Sequence, residues 1–214
     1  MKKTPDETLL GFVRTVAAET SVPGGGSVSA VAGAFAAALG AMACRFTLGR
    51  EKYKEAEAEC SAAAVFLESE AQAFLGLADE DAAAYAEVSA AMKQKKATPE
   101  EKAARADAIA IALVKAARPP LEVARRSLEV AARLRRLRAV TNPNLVSDVG
   151  VGLVLAAAAA RGALLNVFVN CQSLKPESTR APLASEALAL WRRAAETDAE
   201  AASIASALAG TEVP

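Results

Sequence analysis

Apolar residues recur every three or four positions along most of the chain, which is the spacing of helices that pack by one face. The longest such pattern lies within residues 51–95, a stretch without proline. Its continuous face consists of Ala63, Leu67, Glu70, Phe74, Leu77, Asp81, Tyr85, Val88 and Met92. No stretch alternates convincingly with the period of two that a half-buried strand requires. The pattern predicts one long helix here, or two nearly coaxial helices, in an all-α protein.

Two carboxylates, Glu70 and Asp81, interrupt this otherwise apolar face. Asp79 and Glu80 adjoin Asp81 in the sequence, but a helix turns by about 100° per residue, so they point in other directions. A carboxylate on a buried face either pairs with an Arg or Lys for structural reasons or has its pKa raised for acid–base chemistry. The residues alone favour these two interpretations of Asp81 equally.

A second apolar segment follows the turn Pro23-Gly24-Gly25-Gly26-Ser27 and runs from Val28 to Cys44 without a charge. We predict a helix here from about Ser27 to Leu48. One side of it, the small-residue stripe, carries Gly26, Ala30, Gly33, Ala37, Gly40 and Cys44. The opposite side, the bulky stripe, carries Val31, Phe35, Leu39, Met42 and Phe46. We expect another backbone to approach the small-residue stripe and the bulky stripe to fill a conventional core, so this helix is central to a bundle or to a subunit interface.

Capping signals and prolines predict the remaining helices. They run from Thr4, the N-cap of a capping box closed by Glu7, to Glu19; from Thr98, in a second capping box, to Ala117; from Pro120 to Arg138; from Val149, capped by Ser147 or Asp148, to Val169; and from Leu183 to Leu208. The predicted fold class is all-α: an antiparallel up-and-down bundle of about six or seven helices around a central Gly/Ala-rich helix, as a single domain over residues 1–214.

The composition agrees with a helical protein, because 53% of the residues are hydrophobic and only 4% are aromatic, which leaves Ala, Leu and Val to form the core. Equal numbers of basic and acidic residues, 25 of each, give no electrostatic reason to expect nucleic-acid binding. The three cysteines, Cys44, Cys60 and Cys171, are isolated and do not indicate a disulfide framework. There is no histidine, so acid–base chemistry must fall to Asp, Glu, Lys, Tyr or Cys.

The first residues, Met1 to Asp6, lead into a mixed amphipathic segment and not into the apolar core of a signal peptide, so we expect a cytoplasmic protein. Val28–Cys44 nearly reaches the length of a membrane span. Arg45 follows it at once, and its alanines and glycines contribute little to insertion. We therefore favour a fully buried helix and expect no membrane partner.

Several short motifs occur in a characteristic order. They are Pro23-Gly24-Gly25-Gly26-Ser27, Lys52-Tyr53, Asp79-Glu80-Asp81-Ala82-Ala83-Ala84-Tyr85, Thr98-Pro99-Glu100-Glu101-Lys102, Asn142-Pro143-Asn144 with Ser147-Asp148-Val149-Gly150-Val151, and Asn166-Val167-Phe168-Val169-Asn170. No single motif is specific, but the ordered set, over about Leu9 to Leu174, resembles the cyclodeaminase/cyclohydrolase family of folate enzymes. This family includes the cyclodeaminase half of formiminotransferase-cyclodeaminase and stand-alone bacterial methenyltetrahydrofolate cyclohydrolases.

The resemblance implies a helical homodimer that acts on a tetrahydrofolate carrying a one-carbon unit and needs no metal or redox cofactor. The catalytic aspartate of the family lies in an Asp-x-Asp-Ala-x-Ala-Phe motif. Its second aspartate corresponds to Asp81 here, and Tyr85 replaces the phenylalanine. The segment Gln94-Lys95-Lys96 stands where the family usually has Leu-Pro-Lys, so the lysine is kept but the proline that shapes the loop is lost.

Nine further residues are predicted to bind the substrate: Gly24, Gly25, Gly26, Ser27, Tyr85, Lys96, Asn144, Ser147 and Asp148. The glycine turn can present backbone N–H groups to a carboxylate or a pterin edge, although a plain turn is the alternative. Asn144, Ser147 and Asp148 can bond the pterin, with helix capping as the alternative. Lys96, with Lys52, can attract the glutamate or polyglutamate tail of a folate, with an ordinary surface position as the alternative.

The function implied by the resemblance is formimidoyltetrahydrofolate cyclodeaminase. N10 of 5-formimidoyltetrahydrofolate attacks the formimidoyl carbon, ammonia leaves, and the 5,10-methenyl bridge remains. The alternative is methenyltetrahydrofolate cyclohydrolase, in which water opens that bridge to 10-formyltetrahydrofolate. A non-enzymatic alternative is a helical dimerisation scaffold, which would have no pocket beside Asp81.

Overall fold

The structure is a computed structural model that describes residues 3–175 and 177–212. Within these residues it contains helices and no strand, which confirms the all-α prediction. Its seven α-helices are α1 (Leu9–Val16), α2 (Gly25–Thr47), α3 (Glu57–Met92), α4 (Pro99–Ala116), α5 (Arg118–Val140), α6 (Val146–Ser173) and α7 (Glu177–Ala209). Three short 3₁₀ helices occur at Thr4–Asp6, Glu51–Ala56 and Pro143–Leu145.

Helix α2 is the centre of the bundle, with α3, α5 and α6 packed against it and α7 on the outer side of α6. Helices α2 and α6 run antiparallel. At one end the Asn142 N–H, just before α6, donates to Thr47 Oγ1 over 2.9 Å, and at the other end Gly25 lies beside Asn166. The first turn of α2 therefore meets the last turns of α6, and this end of the bundle contains the candidate site.

The small-residue stripe of α2 packs as predicted. A Cβ atom at Gly33 would lie 2.7 Å from the Phe74 ring, and one at Gly40 would lie 2.6 Å from a Leu134 methyl and 2.8 Å from a Leu67 methyl. Real Cβ atoms do not approach other heavy atoms so closely. The large side chains of the neighbouring helices thus fill the space that the missing side chains of α2 leave open.

The prediction for the bulky stripe was wrong. Phe35 and Phe46 are 49% and 51% exposed, and the other three members of the stripe are only half-buried. Because α3, α5 and α6 supply the large core side chains, the opposite side of α2 faces outward in the single chain.

Two helical segments in the described part of the chain, α2 and the continuous stretch Pro143–Ser173, are long and apolar enough to cross a membrane. In α2, 61% of the most apolar window is buried inside the bundle, and in Pro143–Ser173 the share is 50%. Core helices of bundles have the same length and composition, and α2 occupies such a core position.

The predicted start of the first helix was wrong. Thr4–Asp6 forms a 3₁₀ helix, and α1 begins only at Leu9, where the Thr8 side chain accepts a hydrogen bond from the Gly11 N–H. The Thr4 N–H and hydroxyl instead both donate to Asp79 Oδ1, at 2.9 and 2.7 Å. A distant carboxylate thus replaces the local capping box and fastens the N-terminal segment to α3.

Two other helices begin earlier in the chain than predicted. Helix α6 begins at Val146 without a side-chain cap from Ser147 or Asp148, because the 3₁₀ turn capped by Asn142 leads directly into it. Helix α7 begins at Glu177, six positions before the predicted start at Leu183, and includes Pro182. The capping box of Thr98 and Glu101 at the start of α4 is confirmed.

Substitution of Gly33 tests the close packing of α2. We expect Gly33→Ala to lower the free energy of unfolding by about 1–3 kcal/mol, because the added methyl group overlaps the Phe74 ring. Gly76→Ala in α3 is the matched control, since nothing lies within 4 Å of that position, and it should leave stability unchanged or raise it by up to about 1 kcal/mol. Urea unfolding at equal protein concentrations measures both. Equal stability of the two variants would contradict the packing described here.

Candidate active site

The α3 face predicted from the sequence brings Asp81 against the first turn of α2. Gly24 is the N-cap of α2, so Gly25, Gly26 and Ser27 form that turn. A Cβ atom at Gly26 would lie 2.5 Å from Asp81 Cγ, so only glycine allows the carboxylate to sit here. Ser27 Oγ lies 3.0 Å from Asp81 Oδ2. The carboxylate is therefore held at a helix N-terminus, where the backbone dipoles favour negative charge.

Asp81 lies in the wall of a cleft of about 250 Å³ between α2, α3, α4 and α6. Its lining residues are Ser21, Val22, Gly24, Gly25, Gly26, Asp81, Tyr85, Ala116, Asn166, Val169 and Asn170. Asn166 Nδ2 donates to Gly162 O over 2.9 Å, which leaves the amide oxygen as an acceptor. The cleft thus combines one carboxylate, one phenol and two amides with apolar walls, as small-molecule sites commonly do.

Burial raises the pKa of Asp81 above its usual value, and hydrogen bonds from the hydroxyl and backbone N–H of Ser27 only partly oppose this shift. No Lys or Arg in residues 3–175 and 177–212 forms an ion pair with Asp81. The other carboxylate of the face behaves differently, because Arg126 Nη1 donates to both oxygens of Glu70, at 2.9 and 3.1 Å. The structural interpretation therefore fits Glu70, and Asp81 has the environment of an acid–base group.

Some predicted site residues come together and others lie elsewhere. Gly24, Gly25, Gly26, Asp81 and Tyr85 line the cleft. Ser27 is fully buried behind the carboxylate and does not line the cleft.

The other four predicted residues lie outside this cleft in the single chain. Asn144, Ser147 and Asp148 are at the opposite end of α6, since Asn166 follows Asp148 by 18 positions, or about 27 Å of helix. Lys96 lies in the connector that follows α3. The last residue of α3 is itself about 17 Å along the helix axis from Asp81.

Asn166 and Asn170 are the principal cleft residues that were not predicted to bind substrate, although both belong to the motifs that carry the family resemblance. Their signal in the sequence is a pair of amides four positions apart on an otherwise apolar helix end, which places both on one face. No pattern marked Ser21, Val22 or Ala116, because these residues reach the cleft only through tertiary packing.

The described residues contain no group of three or more His, Cys, Asp or Glu side chains placed to hold a metal ion. Cys44, Cys60 and Cys171 are free and buried, and burial raises the pKa of the Cys44 thiol to about 12.

Comparison with known proteins identifies the family. Residues 8–189 match the family model described as formiminotransferase-cyclodeaminase, so the chain belongs to this family. A solved structure of formiminotetrahydrofolate cyclodeaminase from Thermotoga maritima superposes with a TM-score of 0.85 at 26% identity, covering 96% of this chain and 98% of that one. The helical fold and the family predicted from the motifs are thus confirmed.

Two relatives represent the two activities of the family. The chain is 37% identical over 169 residues to a methenyltetrahydrofolate cyclohydrolase of Methylorubrum extorquens, covering 79% of this chain and 81% of the relative. It is 32% identical over 169 residues to formimidoyltransferase-cyclodeaminase of Mus musculus, covering 79% of this chain but only 31% of that longer protein. These similarities support the prediction that the chain is an enzyme. The pocket beside Asp81 also agrees with it, because a dimerisation scaffold was expected to lack such a pocket.

The two carboxylates of the α3 face should affect stability in opposite directions. Because the pKa of Asp81 is raised in the folded protein, its contribution to stability is lost as the pH rises through the folded-state pKa. At neutral pH, Asp81→Asn should therefore be at least as stable as the wild type, and the difference should shrink as the pH falls. Glu70→Gln should cost about 1–3 kcal/mol, since it weakens charged hydrogen bonds to Arg126.

Thermal or urea unfolding as a function of pH measures both variants. Destabilisation of Asp81→Asn at neutral pH as large as that of Glu70→Gln would contradict the different roles assigned to the two carboxylates.

Proposed function

We propose that this chain is a formimidoyltetrahydrofolate cyclodeaminase, which converts 5-formimidoyltetrahydrofolate to 5,10-methenyltetrahydrofolate and ammonia. The observation that carries the proposal is Asp81, a carboxylate with a raised pKa, without a cationic partner among the described side chains, in the wall of a cleft. Membership of the formiminotransferase-cyclodeaminase family supports the substrate class.

The reaction requires a group that moves protons on and off nitrogen. Attack of N10 on the carbon of the protonated formimidoyl group gives a tetrahedral carbon that carries an amino group between N5 and N10. This amino group is then protonated and departs as ammonia. A carboxylate whose pKa is raised toward neutrality can accept the N10 proton and then deliver a proton to the leaving nitrogen. Ionised Asp81 also complements the positive charge of the methenyl bridge. A positioned acid–base group of this kind contributes about 10²–10⁴ in rate.

The other residues have binding roles in this proposal. Tyr85, Asn166 and Asn170 hydrogen-bond the pteridine ring, and the N–H groups of the Gly24–Ser27 turn approach its edge or a carboxylate of the folate. Lys96 attracts the glutamate tail, including a polyglutamate tail.

Contact of the pterin with Asn144, Ser147 and Asp148 stays a prediction and is not part of this proposal, because these residues lie at the opposite end of α6 from the cleft. The proposal further includes a single catalytic domain in the cytoplasm that uses no metal or redox cofactor.

Methenyltetrahydrofolate cyclohydrolase is the second candidate. The observation that favours it is the 37% identity to a protein of that name. Hydrolysis passes through the same kind of tetrahedral carbon, with water in place of ammonia, so Asp81 would serve as the base that activates water. The two candidates therefore share one site and differ in the group that enters or leaves.

Near-ultraviolet absorbance of 5,10-methenyltetrahydrofolate distinguishes the two reactions. We expect the wild-type enzyme to form this compound from 5-formimidoyltetrahydrofolate. A cyclohydrolase would instead make added 5,10-methenyltetrahydrofolate disappear faster than it does in buffer. Asp81→Asn should lower kcat by at least about 100-fold in the active direction, because the proton-transfer group is removed.

Glu70→Gln is the matched control for that assay, because it changes the other carboxylate of the same helix face, one that pairs with Arg126. It should keep kcat within about threefold of the wild type under conditions where both are folded. Near-wild-type turnover by folded Asp81→Asn would overturn the role of Asp81. A wild-type protein inactive in both assays would overturn the proposed function.

We further propose a homodimer formed through the outer side of α2. An apolar groove of about 340 Å³ lies between α1, α2 and α3, and Phe12, Val31 and Phe35 are among its lining residues. It continues along α2 to Phe46, and Leu9 and Val13 of α1 are 62% and 54% exposed. A second copy of the chain is the occupant we propose, because a contiguous apolar surface of this kind on a monomer marks an interaction site.

A charge at this surface should break the dimer. We expect the wild type to have twice the chain mass of 21.9 kDa in sedimentation or light scattering, and Phe35→Glu to have about the mass of one chain. Ile111→Glu in α4 is the matched control, since Ile111 is 61% exposed on a different helix, and it should leave the mass unchanged. A monomeric wild type, or a dimeric Phe35→Glu, would contradict this interface.

A further inference from the structure

Ser27 is a predicted binding residue that touches Asp81 but does not line the cleft. Its side chain is fully buried, and Oγ lies 3.0 Å from Asp81 Oδ2 and 3.0 Å from the backbone oxygen of Ala78. A hydroxyl group has a single hydrogen, so it can donate to only one of these acceptors at a time. Both acceptors belong to α3, one turn apart, and Ser27 reaches them from the neighbouring helix α2.

The two acceptors match the two protonation states of Asp81. When the carboxylate is ionised, the Ser27 hydroxyl donates to Oδ2. When Oδ2 carries a proton, that O–H can donate to Ser27 Oγ, and the Ser27 hydrogen turns to Ala78 O. In both states one hydrogen bridges Asp81 Oδ2 and Ser27 Oγ, so no heavy atom has to move.

We propose that Ser27 is a positioning residue that holds the Asp81 carboxyl group in one orientation in both protonation states by switching its hydrogen between Asp81 and Ala78. The inference deepens the proposed function and rests on it, because an acid–base group must remain in place while its proton comes and goes. Ser27 itself neither gains nor loses a proton in this switch.

Few other groups can account for a change in the titration of Asp81. Among the described residues, Tyr85 is the only other titratable side chain that lines the cleft. On α3, Asp79 is bonded to the N-terminal segment, and Glu80 lines a separate cleft between α3 and α5. On α4, Lys115 forms an ion pair with Glu87 of α3. The lining residues from α2, α6 and the loop before α2 carry no charge.

The fold should tolerate loss of the Ser27 hydroxyl group. The Ala78 oxygen lies inside α3 and can accept the ordinary hydrogen bond of an α-helix, so its contact with Ser27 is additional. Ser27→Ala therefore removes the switch and leaves no backbone group without a partner. Ser27→Cys is a second variant of similar size with a weak donor. Ser29→Ala is the matched control, because Ser29 is a buried serine of the same helix that donates within it, to Gly25 O.

The test uses carboxyl and carbonyl ¹³C NMR of the full chain without any folate, with the Asp81 signal assigned by its absence in Asp81→Asn. Ser27→Ala and Ser27→Cys should move the titration midpoint of Asp81 to higher pH, since the ionised form loses a donor. In the wild type, the Ala78 carbonyl signal should change with the same midpoint, and this change should shrink several-fold in both Ser27 variants. Ser29→Ala should behave as the wild type in both respects.

Activity supplies a second readout. Ser27→Ala should lower kcat by about tenfold, the effect of losing one hydrogen bond to a charged group, with a smaller change in KM. The acid limb of its pH profile should shift to higher pH. An unmoved Asp81 midpoint, an Ala78 signal that titrates equally in Ser27→Ala, or loss of folding in both Ser27 variants would overturn the inference. Because the NMR readout needs no substrate, a wild type inactive on folates would overturn only the proposed function.

Discussion

The site depends on a direct contact between the Asp81 carboxylate and the backbone of Gly26. A side chain at position 26 would overlap the carboxylate, so the contact exists only because α2 begins with glycine. The same principle continues along α2, where Gly33 and Gly40 make room for side chains of the neighbouring helices. The small-residue stripe therefore allows close packing over most of the length of α2 and contacts the Asp81 carboxylate at the first turn.

Close packing also sets the chemistry of Asp81. It removes water from the carboxylate, which raises the pKa, while the N-terminus of α2 and Ser27 keep the ionised form accessible. Glu70 on the same face differs from Asp81, because Arg126 compensates its negative charge. One helix face thus contains a carboxylate that stabilises the fold and a carboxylate that is held, at some cost in stability, in a state suited to proton transfer.

The periodicity of α3 was sufficient to predict its extent and to distinguish Asp81 from Asp79 and Glu80, because both depend only on residues within one helix. The outward side of α2 could not be predicted in this way. Periodicity shows that Phe35 and Phe46 share a face, but which face meets neighbours depends on the helices that pack there. The same physical limit explains the incorrect position of the first helix, since Thr4 bonds to Asp79, 75 positions away in the sequence.

In the candidate site too, residues in local patterns could be predicted and residues that depend on tertiary packing could not. The glycine turn, Asp81 and Tyr85 were identified from local motifs and one helix face. Asn166 and Asn170 reach the cleft only because α6 runs antiparallel to α2, which no local pattern specifies. The family resemblance, carried by the ordered motifs, supplied the substrate class that the residues alone could not.

If the folate bridge reacts beside Asp81, a structure of the Asp81→Asn variant with bound 5,10-methenyltetrahydrofolate will show the two in contact. We expect the pteridine in the cleft between α2, α3 and α6, with the N5–C–N10 bridge within hydrogen-bond distance of the side chain at position 81 and of no carboxyl group. A folate bound instead at the opposite end of α6, against Asn144, Ser147 and Asp148, would contradict a reaction beside Asp81.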